Sequence, residues 1–232
     1  MARSLEGSVP SPNIWHHTET YELENRSADP ERLIESAMRE IADWSGLDLL
    51  DLGCGTGFHL PRWAVDARAV YGVEPHPDLA RLAARRTSRL PNVTVLPGTA
   101  QRVPLAPATV DVMQARWAYF FGPGCEPGLR ELDRVMRRGG TAFVIDNDVS
   151  RSTFGSWFAR AHPTIDAEAV ERFWSTNGWQ RRPLDIVWRF GSRADLESVV
   201  RIELEPAVAE PVLAEHRGTE VDYAVNLWWR RF

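Results

Sequence analysis

The sequence predicts an α/β fold: a doubly wound sheet with helices on both faces, formed by a single domain. Short apolar runs alternate along the chain with stretches of helical periodicity, a pattern typical of parallel strands connected by helices. The first of these runs ends in a glycine-rich turn, which is how a buried strand leads into a helix in such sheets. With 232 residues, the chain is long enough to bury one full core. We therefore expect one domain over residues 30–232, preceded by an N-terminal arm over residues 1–29.

The stretch around which the chain is organised is the apolar run 47–52 and the turn that follows it. Three glycines stand at alternate positions in this turn, with a cysteine between the first two: Gly53, Cys54, Gly55 and Gly57. Glycine reaches positive φ without strain and lets a ligand approach the backbone, and the amides that open the next helix face that ligand. The turn therefore indicates a ligand-binding site.

The spacing of the glycines indicates which ligand this is. A dinucleotide fingerprint starting at Gly53 needs its third glycine at position 58, where the chain has Phe58. Instead an acid, Asp51, stands two residues before the first glycine. A carboxylate there would repel a pyrophosphate and attract an ammonium or a sulphonium.

This D-x-G-x-G-x-G pattern resembles the first motif of the class I S-adenosylmethionine-dependent methyltransferases, of the methyltransferase type 11 kind. The likeness extends over residues 45–147 and includes the block 129–140, which is similar to the family's corresponding helix and strand. It implies a Rossmann-like, seven-stranded mixed sheet whose last strand is antiparallel, and S-adenosyl-L-methionine as the cofactor. The predicted cofactor-binding residues are Asp51, Gly53, Cys54, Gly55, Gly57, Glu74, Pro75, Thr99, Ala100, Gln114 and Ala115.

The N-terminal arm has two possible roles. Residues 1–13 lack periodicity and are expected to be a loose lead-in, and a helix over 30–44 is expected to follow, with Asp29 as its N-cap. In the methyltransferases that this chain resembles, such a leading segment can fold over the cofactor, which makes Trp15 and Tyr21 candidates for a lid. The alternative is that these aromatic side chains pin the arm to the core.

The second and third strands, expected over 69–73 and 93–96, end in residues suited to a nucleoside. Glu74 lies about twenty residues after the first glycine, where α/β nucleotide-binding folds place an acid for the ribose hydroxyls, and a carboxylate can accept from both hydroxyls. A helix is expected from Pro77 to Arg86. Family members often carry an acid near the adenine amino group at the position of Thr99, whose hydroxyl can accept one hydrogen bond here.

The fourth strand, expected over 110–115, leads into an aromatic run. Ligands in doubly wound sheets bind at the carboxyl ends of the strands, so this run is expected to border a substrate pocket. A helix over 127–138, ended by two glycines, and a fifth strand over 141–145 are expected next. The aromatic residues proposed for the pocket are Trp117, Tyr119 and Phe120, with Trp15 on the arm and Trp157 and Trp174 farther along the chain.

Residues 151–182 are rich in aromatic side chains and are expected to form a substrate cap of two helices, over 153–160 and 167–175. Together with the arm, this segment is predicted to roof one pocket whose floor is Trp117 and Tyr119. Core packing is the alternative for the two tryptophans of the cap. Strands over 184–190 and 221–229 and helices over 192–200 and 206–216 complete the expected elements.

Catalytic residues are not evident, because methyl transfer to a neutral amine or a thiolate needs no dedicated base. The candidates for a base are Tyr21, His16 and His17 on the arm and Asp146 at the end of the fifth strand. Metal-dependent catechol-type methyltransferases carry an Asp-Asn pair where this chain has Asp146-Asn147. Arg116, however, is a poor neighbour for a divalent cation, and we expect no metal.

Composition limits the partners. The net charge is −5, and all 27 basic residues are arginines spread along the chain, so a nucleic-acid partner is not expected. The two cysteines have neither metal nor disulfide spacing. No run of apolar residues is long enough to cross a membrane, and a cytoplasmic protein is expected. The oligomeric state stays open.

Three functions follow from these observations. The first is a methyltransferase that acts on a small molecule in an aromatic pocket. The second is a methyltransferase that acts on protein or RNA, which a concentrated basic face would favour. The third is a non-catalytic protein that binds the cofactor.

Overall fold

A computed structural model describes residues 5–232 of the chain. Its seven strands are β1 (Asp48–Leu52), β2 (Ala69–Glu74), β3 (Val93–Pro97), β4 (Val110–Arg116), β5 (Met136–Asn147), β6 (Gln180–Arg189) and β7 (Glu220–Arg231). They form one sheet in the order β3-β2-β1-β4-β5-β7-β6. Neighbouring strands from β3 to β5 are parallel, whereas β7 runs antiparallel to both β5 and β6. The predicted doubly wound, seven-stranded mixed sheet is confirmed.

Ten helices connect and precede the strands in the described part of the chain. They are α1 (Pro12–His16), α2 (Thr18–Ser27), α3 (Leu33–Ile41), α4 (Leu60–Trp63), α5 (Pro77–Arg86), α6 (Glu126–Val135), α7 (Thr153–Ala161), α8 (Ala167–Thr176), α9 (Arg193–Glu203) and α10 (Pro206–Glu215). None of them is long and apolar enough to cross a membrane.

The sheet separates two apolar layers. Every residue of β1 is buried, and its consecutive residues Leu49 and Leu50 belong to different hydrophobic clusters, because successive side chains of a strand point to opposite faces. A strand buried on both faces reads as a continuous apolar run. This explains why β1 is evident in the sequence.

The arm is more ordered than its sequence suggests. A loose lead-in is expected over residues 1–13, but α1 begins at Pro12 and α2 follows it directly. α2 packs against α9. The short α1 lacks the length for a periodic apolar face, which is why periodicity does not reveal it. Residues 1–4 of the predicted lead-in lie outside the described residues.

The helix expected from Pro30 begins later, at Leu33. Asp29 and Arg32 have positive φ of 51° and 59°, which a right-handed helix excludes. Asp29 nevertheless caps the helix from four residues upstream: its Oδ1 accepts from the Leu33 amide at 2.8 Å and its Oδ2 from the Ile34 amide at 3.0 Å.

Two further boundaries differ from expectation. The helix after the glycine turn, which the sequence predicts to continue to about Val65, is only the single turn α4 and stops at Trp63. Gly139 and Gly140 do not end α6; they lie inside β5, which begins at Met136. The amide of Gly139 donates to the carbonyl of Phe232 at 2.7 Å, so pairing with the C-terminal end of the chain overrides the local helix-ending signal.

Candidate functional site

The glycine turn between β1 and α4 is tied to the neighbouring strand. Gly53 and Cys54 both donate their amides to the carbonyl of Val73, at 2.8 and 3.1 Å. All three glycines have positive φ, as predicted: 80°, 55° and 74°. A Cβ on Gly53 would lie 2.5 Å from the Cβ of Ala118. The protein's own packing therefore requires this glycine, whether or not a ligand is bound.

A cavity lies at the carboxyl ends of β1 to β4, beneath the arm; we call it the arm cavity. It has an outer part and an inner part, both bordered by Tyr21, Gly53, Gly55, Arg116 and Trp117. Predicted residues that line only the outer part are Trp15, Glu74, Pro75, Thr99, Ala100 and Tyr119. Those that line only the inner part are Asp51, Cys54 and Gln114. The topology thus brings nine of the eleven predicted cofactor-binding residues to one cavity.

The other two do not border it. Ala115 is fully buried in the core, because it faces away from the side of β4 that carries Gln114 and Arg116. Gly57 packs against α5: a Cβ on it would lie 2.9 Å from the Cβ of Ala83. Both residues hold the fold around the cavity.

Glu74 ends β2 on the wall of the outer part and is only 5% exposed. Its Oε2 accepts from the amide of Gly55 at 2.9 Å, and its Oε1 accepts from the amide of His76 at 2.8 Å. Burial raises the pKa of Glu74 to about 7, although these two amides oppose the shift. The side chain therefore supports the glycine turn as well as facing the cavity.

Asp51 and Gln114 face each other across the β1–β4 pair. The amide nitrogen of Gln114 donates to Oδ1 of Asp51 at 2.6 Å, whereas Oε1 of the same fully buried glutamine has no partner. Burial raises the pKa of Asp51 to about 6, and its hydrogen bond to Gln114 and the nearby Arg116 oppose the shift.

Arg116 is the site residue whose importance the sequence does not reveal. It ends β4 two positions after Gln114, so its side chain lies on the same face of the strand. Its closest polar contact is Nη1 to Nε2 of His59, at 3.5 Å, and its Nε has no partner. Burial and three arginines, Arg116 foremost, hold the pKa of His59 well below its usual range. The one feature of the sequence that could have identified Arg116 as a site residue is its position at the end of a buried strand.

The loop after β4 has strained backbone on the floor of the arm cavity. Trp117 and Tyr119 have positive φ of 45° and 56°, which is uncommon for bulky residues. Trp117 donates its indole N–H to Oδ1 of Asn147 at 2.7 Å and stacks on the ring of Tyr223. Above the cavity, the ring of Trp15 lies 5.1 Å from that of His76. Trp15, Trp117 and Tyr119 all border the outer part of the arm cavity.

The other three aromatic residues proposed for the pocket are core residues. Phe120 is 1% exposed and packs in the apolar layer below the loop. Trp174 is fully buried, with its ring 4.9 Å from that of Trp179. Trp157 packs against His216. Core packing, the alternative for the two tryptophans of the cap, is what the structure shows.

The segment 151–182 covers a second cavity, and none of its residues lines the arm cavity. This cap cavity lies beside the ends of β5 and β7, and Phe121 borders both it and the outer part of the arm cavity. Its walls include Asp146, Asn147 and Asp148, together with residues 164–171. The prediction of one pocket with two roofs is therefore wrong: the arm and the cap each cover a cavity of their own.

The four candidates for a catalytic base are not brought together. Tyr21 lines the arm cavity, and burial with nearby acids raises its pKa well above the ordinary value. Asp146 lines the cap cavity, and burial raises its pKa to about 7. His16 and His17 are exposed on the arm.

The sheet order and the glycine turn at its centre are those of the class I methyltransferase fold. Residues 50–144 match the family model described as a methyltransferase domain, which confirms the resemblance that the glycine turn indicated.

Among particular relatives, the demethylmenaquinone methyltransferase of Lactococcus lactis is 25% identical over 138 residues. That match spans 55% of this chain and 55% of the relative, so this chain aligns with only about half of that protein.

Solved structures share the fold over more of the chain. The YcgJ protein of Bacillus subtilis has a TM-score of 0.60 at 14% identity, covering 84% of this chain and 95% of that one. A SAM-dependent methyltransferase of Aquifex aeolicus has a TM-score of 0.56 at 19% identity, with 91% and 97% covered. The geranyl diphosphate C-methyltransferase of Streptomyces coelicolor, solved with Mg²⁺, geranyl diphosphate and S-adenosyl-L-homocysteine, has a TM-score of 0.57 at 14% identity, with 84% and 76% covered. Identities this low show a shared fold.

Proposed function

We propose that the protein transfers a methyl group from S-adenosyl-L-methionine, held in the arm cavity, to a small molecule in the adjoining cap cavity. One observation carries the proposal: the glycine turn and the residues at the ends of β1, β2 and β3 line the two parts of the arm cavity, which share Tyr21, Arg116 and Trp117 on their walls. Asp51, Glu74 and Thr99 are the polar groups at those three strand ends.

The donor set fits this cofactor. Among residues 5–232, neither Asp51 nor Glu74 has an arginine within salt-bridge distance, although both are buried. Buried carboxylates need partners that donate hydrogen bonds or carry positive charge. The amino group of S-adenosylmethionine suits Asp51, its ribose hydroxyls suit Glu74, and its adenine amino group suits the hydroxyl of Thr99, which can accept one hydrogen bond.

When bound, the cofactor supplies an electrophilic methyl group on a sulphonium. The chain's contribution is to hold the reacting groups in line, which can account for much of a rate enhancement. The arm covers part of the cavity, and the aromatic faces of Trp15 and Trp117 attract positive charge. Tyr21 is the ionisable arm residue that borders both parts of this cavity.

The cap cavity is the proposed acceptor site, and its charges favour an amine or a neutral acceptor over an anion. Of its lining residues, Arg181 is the only one with a permanent positive charge. Its three nitrogens already donate to Asn226, Glu171 and Asp148, at 2.7, 3.0 and 2.9 Å. Asp146 faces the same space without a cationic partner. A phosphorylated acceptor such as geranyl diphosphate would find no free cation on this wall.

Binding and turnover test the proposal separately. Isothermal titration with S-adenosylhomocysteine is expected to give a heat signal, accompanied by a rise in Tm. Incubation of methyl-labelled cofactor with a panel of small amines, alcohols and thiols is expected to give a labelled product. Binding of NADH in place of S-adenosylhomocysteine would contradict the proposal. Normal cofactor binding with turnover only on protein or RNA, or with none at all, would support one of the alternative functions.

A further inference from the structure

Within residues 5–232, the guanidinium of Arg116 has no counter-ion: no carboxylate oxygen lies within 4.0 Å of its nitrogens. The side chain as a whole is partly exposed, but its Nε is buried without any hydrogen-bond partner. Asp29, Asp51 and Glu35 act on it only from farther away. A buried donor without an acceptor is unfavourable, and carboxylates are the groups that a guanidinium binds best. Such an arrangement calls for an anionic partner.

The protein groups around Arg116 do not supply one. His59, whose Nε2 lies 3.5 Å from Nη1 of Arg116, is either neutral or positively charged and so cannot act as a counter-ion. Glu35, the nearest acid on α3, pairs instead with Arg62 at 3.3 Å and with Arg39 at 3.7 Å. The carboxyl of Asp29 is occupied by the two amides that open α3.

The position of Arg116 in the arm cavity indicates where the anion comes from. Arg116 borders the inner part together with Asp51 and Gln114. Gln114 binds Asp51 through its amide nitrogen and leaves its own Oε1 without a partner. The inner part therefore offers a carboxylate and an amide oxygen, which suit an ammonium, next to a guanidinium, which suits a carboxylate. An α-amino acid carries both of these groups on one carbon.

We propose that Arg116 binds the carboxylate at the amino-acid end of the cofactor, so that Asp51 and Arg116 together recognise a zwitterion. The inference rests on the proposed function and assigns a specificity-determining residue to the same site. It also accounts for the unpaired guanidinium, because the ligand supplies the counter-charge that the protein lacks. Analogues without the carboxylate are then discriminated by this one side chain.

The test combines a variant that lacks the Arg116 guanidinium with ligands that lack the carboxylate. The ligands are S-adenosylhomocysteine, its decarboxylated analogue adenosylthiopropylamine, and methylthioadenosine, which lacks the whole amino-acid end. The wild type is expected to bind S-adenosylhomocysteine about 10- to 100-fold more tightly than the decarboxylated analogue, the scale of a hydrogen-bonded charge pair. In Arg116→Gln this preference is expected to disappear, while the affinities for the other two ligands stay within about 3-fold.

Two controls separate recognition from folding. Arg85→Gln removes an exposed arginine on α5 that lines neither part of the arm cavity, and the preference for the carboxylate is expected to survive. Arg116→Lys keeps the charge without the planar fork and is expected to retain part of the preference. The wild-type comparison needs no variant, so the test does not depend on the folding of Arg116→Gln.

Equal affinity of the wild type for S-adenosylhomocysteine and the decarboxylated analogue would overturn the assignment. The assignment is also wrong if Arg116→Gln weakens all three ligands equally, since that pattern belongs to a structural residue. Absence of binding by every adenosyl ligand, with a normal unfolding transition, would instead count against the proposed function as a whole.

Discussion

Asn147 accepts a hydrogen bond from the indole nitrogen of Trp117, with 2.7 Å between Nε1 and Oδ1. The same oxygen accepts from the hydroxyl of Tyr223. One amide side chain at the end of β5 therefore joins the loop after β4 to β7. Trp117 lies on the arm cavity and Asn147 on the cap cavity, so this three-residue link, 117–147–223, stands between the two cavities.

The first prediction concerns this link. Asn147→Ala leaves two donors without an acceptor in a largely buried place, and each orphaned donor costs about 1–3 kcal/mol. The free energy of unfolding, measured by urea denaturation, is expected to fall by about 2–4 kcal/mol. Tyr223→Phe removes one donor without orphaning another group and is expected to cost only about 1 kcal/mol. A smaller loss in Asn147→Ala than in Tyr223→Phe would show that the link does not hold the loop.

The second prediction concerns the pH dependence of cofactor binding. Burial raises the pKa of Glu74 to about 7 and that of Asp51 to about 6 in the protein without ligand. The ionised carboxylates are the forms that accept from the ribose hydroxyls and attract the ammonium. Affinity for S-adenosylhomocysteine is therefore expected to rise between about pH 5.5 and 8 and to weaken on acidification through the same range, as measured by titration calorimetry.

Glu74→Gln tests which part of that dependence belongs to Glu74. The variant is expected to lose about 1–3 kcal/mol of binding free energy at about pH 8 and to show a flatter pH profile. Glu40, an exposed acid on α3 that pairs with Arg182, provides the control: Glu40→Gln is expected to change neither the binding free energy nor the pH profile. If Glu74→Gln lowers the Tm but keeps the affinity, Glu74 acts only on the glycine turn.

The third prediction concerns two carboxyl groups that lie together where α2 packs against α9. Burial and the neighbouring Glu203 raise the pKa of Glu24 well above the ordinary value, and burial raises that of Glu203. Among residues 5–232, Oε2 of Glu24 has no hydrogen-bond partner. This pair therefore keeps protons in the folded protein that the unfolded chain releases above about pH 4.5. The contribution of the pair to stability is fully present below that pH and is lost as the pH rises through the folded-state pKa values.

Replacing Glu24 by glutamine is expected to remove the part of the pH dependence of stability that comes from Glu24, because glutamine does not titrate. The new amide side chain is neutral and can donate an N–H to Glu203, so Glu24→Gln is expected to match the wild type near pH 4. At about pH 8 it should be more stable by about 1–3 kcal/mol, measured as unfolding free energy. Glu19→Gln, an exposed position on the same helix, is expected to have little effect at either pH. Equal Tm values for Glu24→Gln and the wild type at the higher pH would contradict the prediction.

The fourth prediction concerns the acceptor. Protein saturated with S-adenosylhomocysteine is expected to bind arylalkyl amines in preference to alcohols, carboxylates and diphosphates of matched size, because Asp146 faces the cap cavity without a cation. Asp146→Asn is expected to reduce amine affinity by about 1–3 kcal/mol without changing cofactor affinity. Tighter binding of the diphosphates than of the amines would show that Arg181 is not held by its acidic partners.

Some features of the proposed cofactor site depend only on residues that are close together in the sequence, and these features can be predicted without the structure. The strand before Gly53, the positive φ of the turn and the acid two residues upstream all follow from spacing, because backbone conformation and strand periodicity act over a few residues. Glu74 is predictable for the same reason: one strand–helix–strand unit sets its distance from the turn. The hydrogen bond between Glu74 and the amide of Gly55 cannot be predicted in this way, because that contact depends on how β1 and β2 pair.

The sequence alone determined the fold class, the family that residues 50–144 resemble and most of the predicted residues that line the arm cavity, since alternating apolar runs and a glycine turn carry that information locally. Only the tertiary structure decided how many cavities there are and which aromatic side chains border them. Trp174 and Trp117 both read as pocket residues in the sequence, yet one is enclosed by Trp179 and Trp228 and the other borders a cavity. The unpaired state of Arg116 was also beyond the sequence. Whether a charge has a partner depends on side chains that meet only when distant segments pack, and for Arg116 those segments, within residues 5–232, supply no carboxylate.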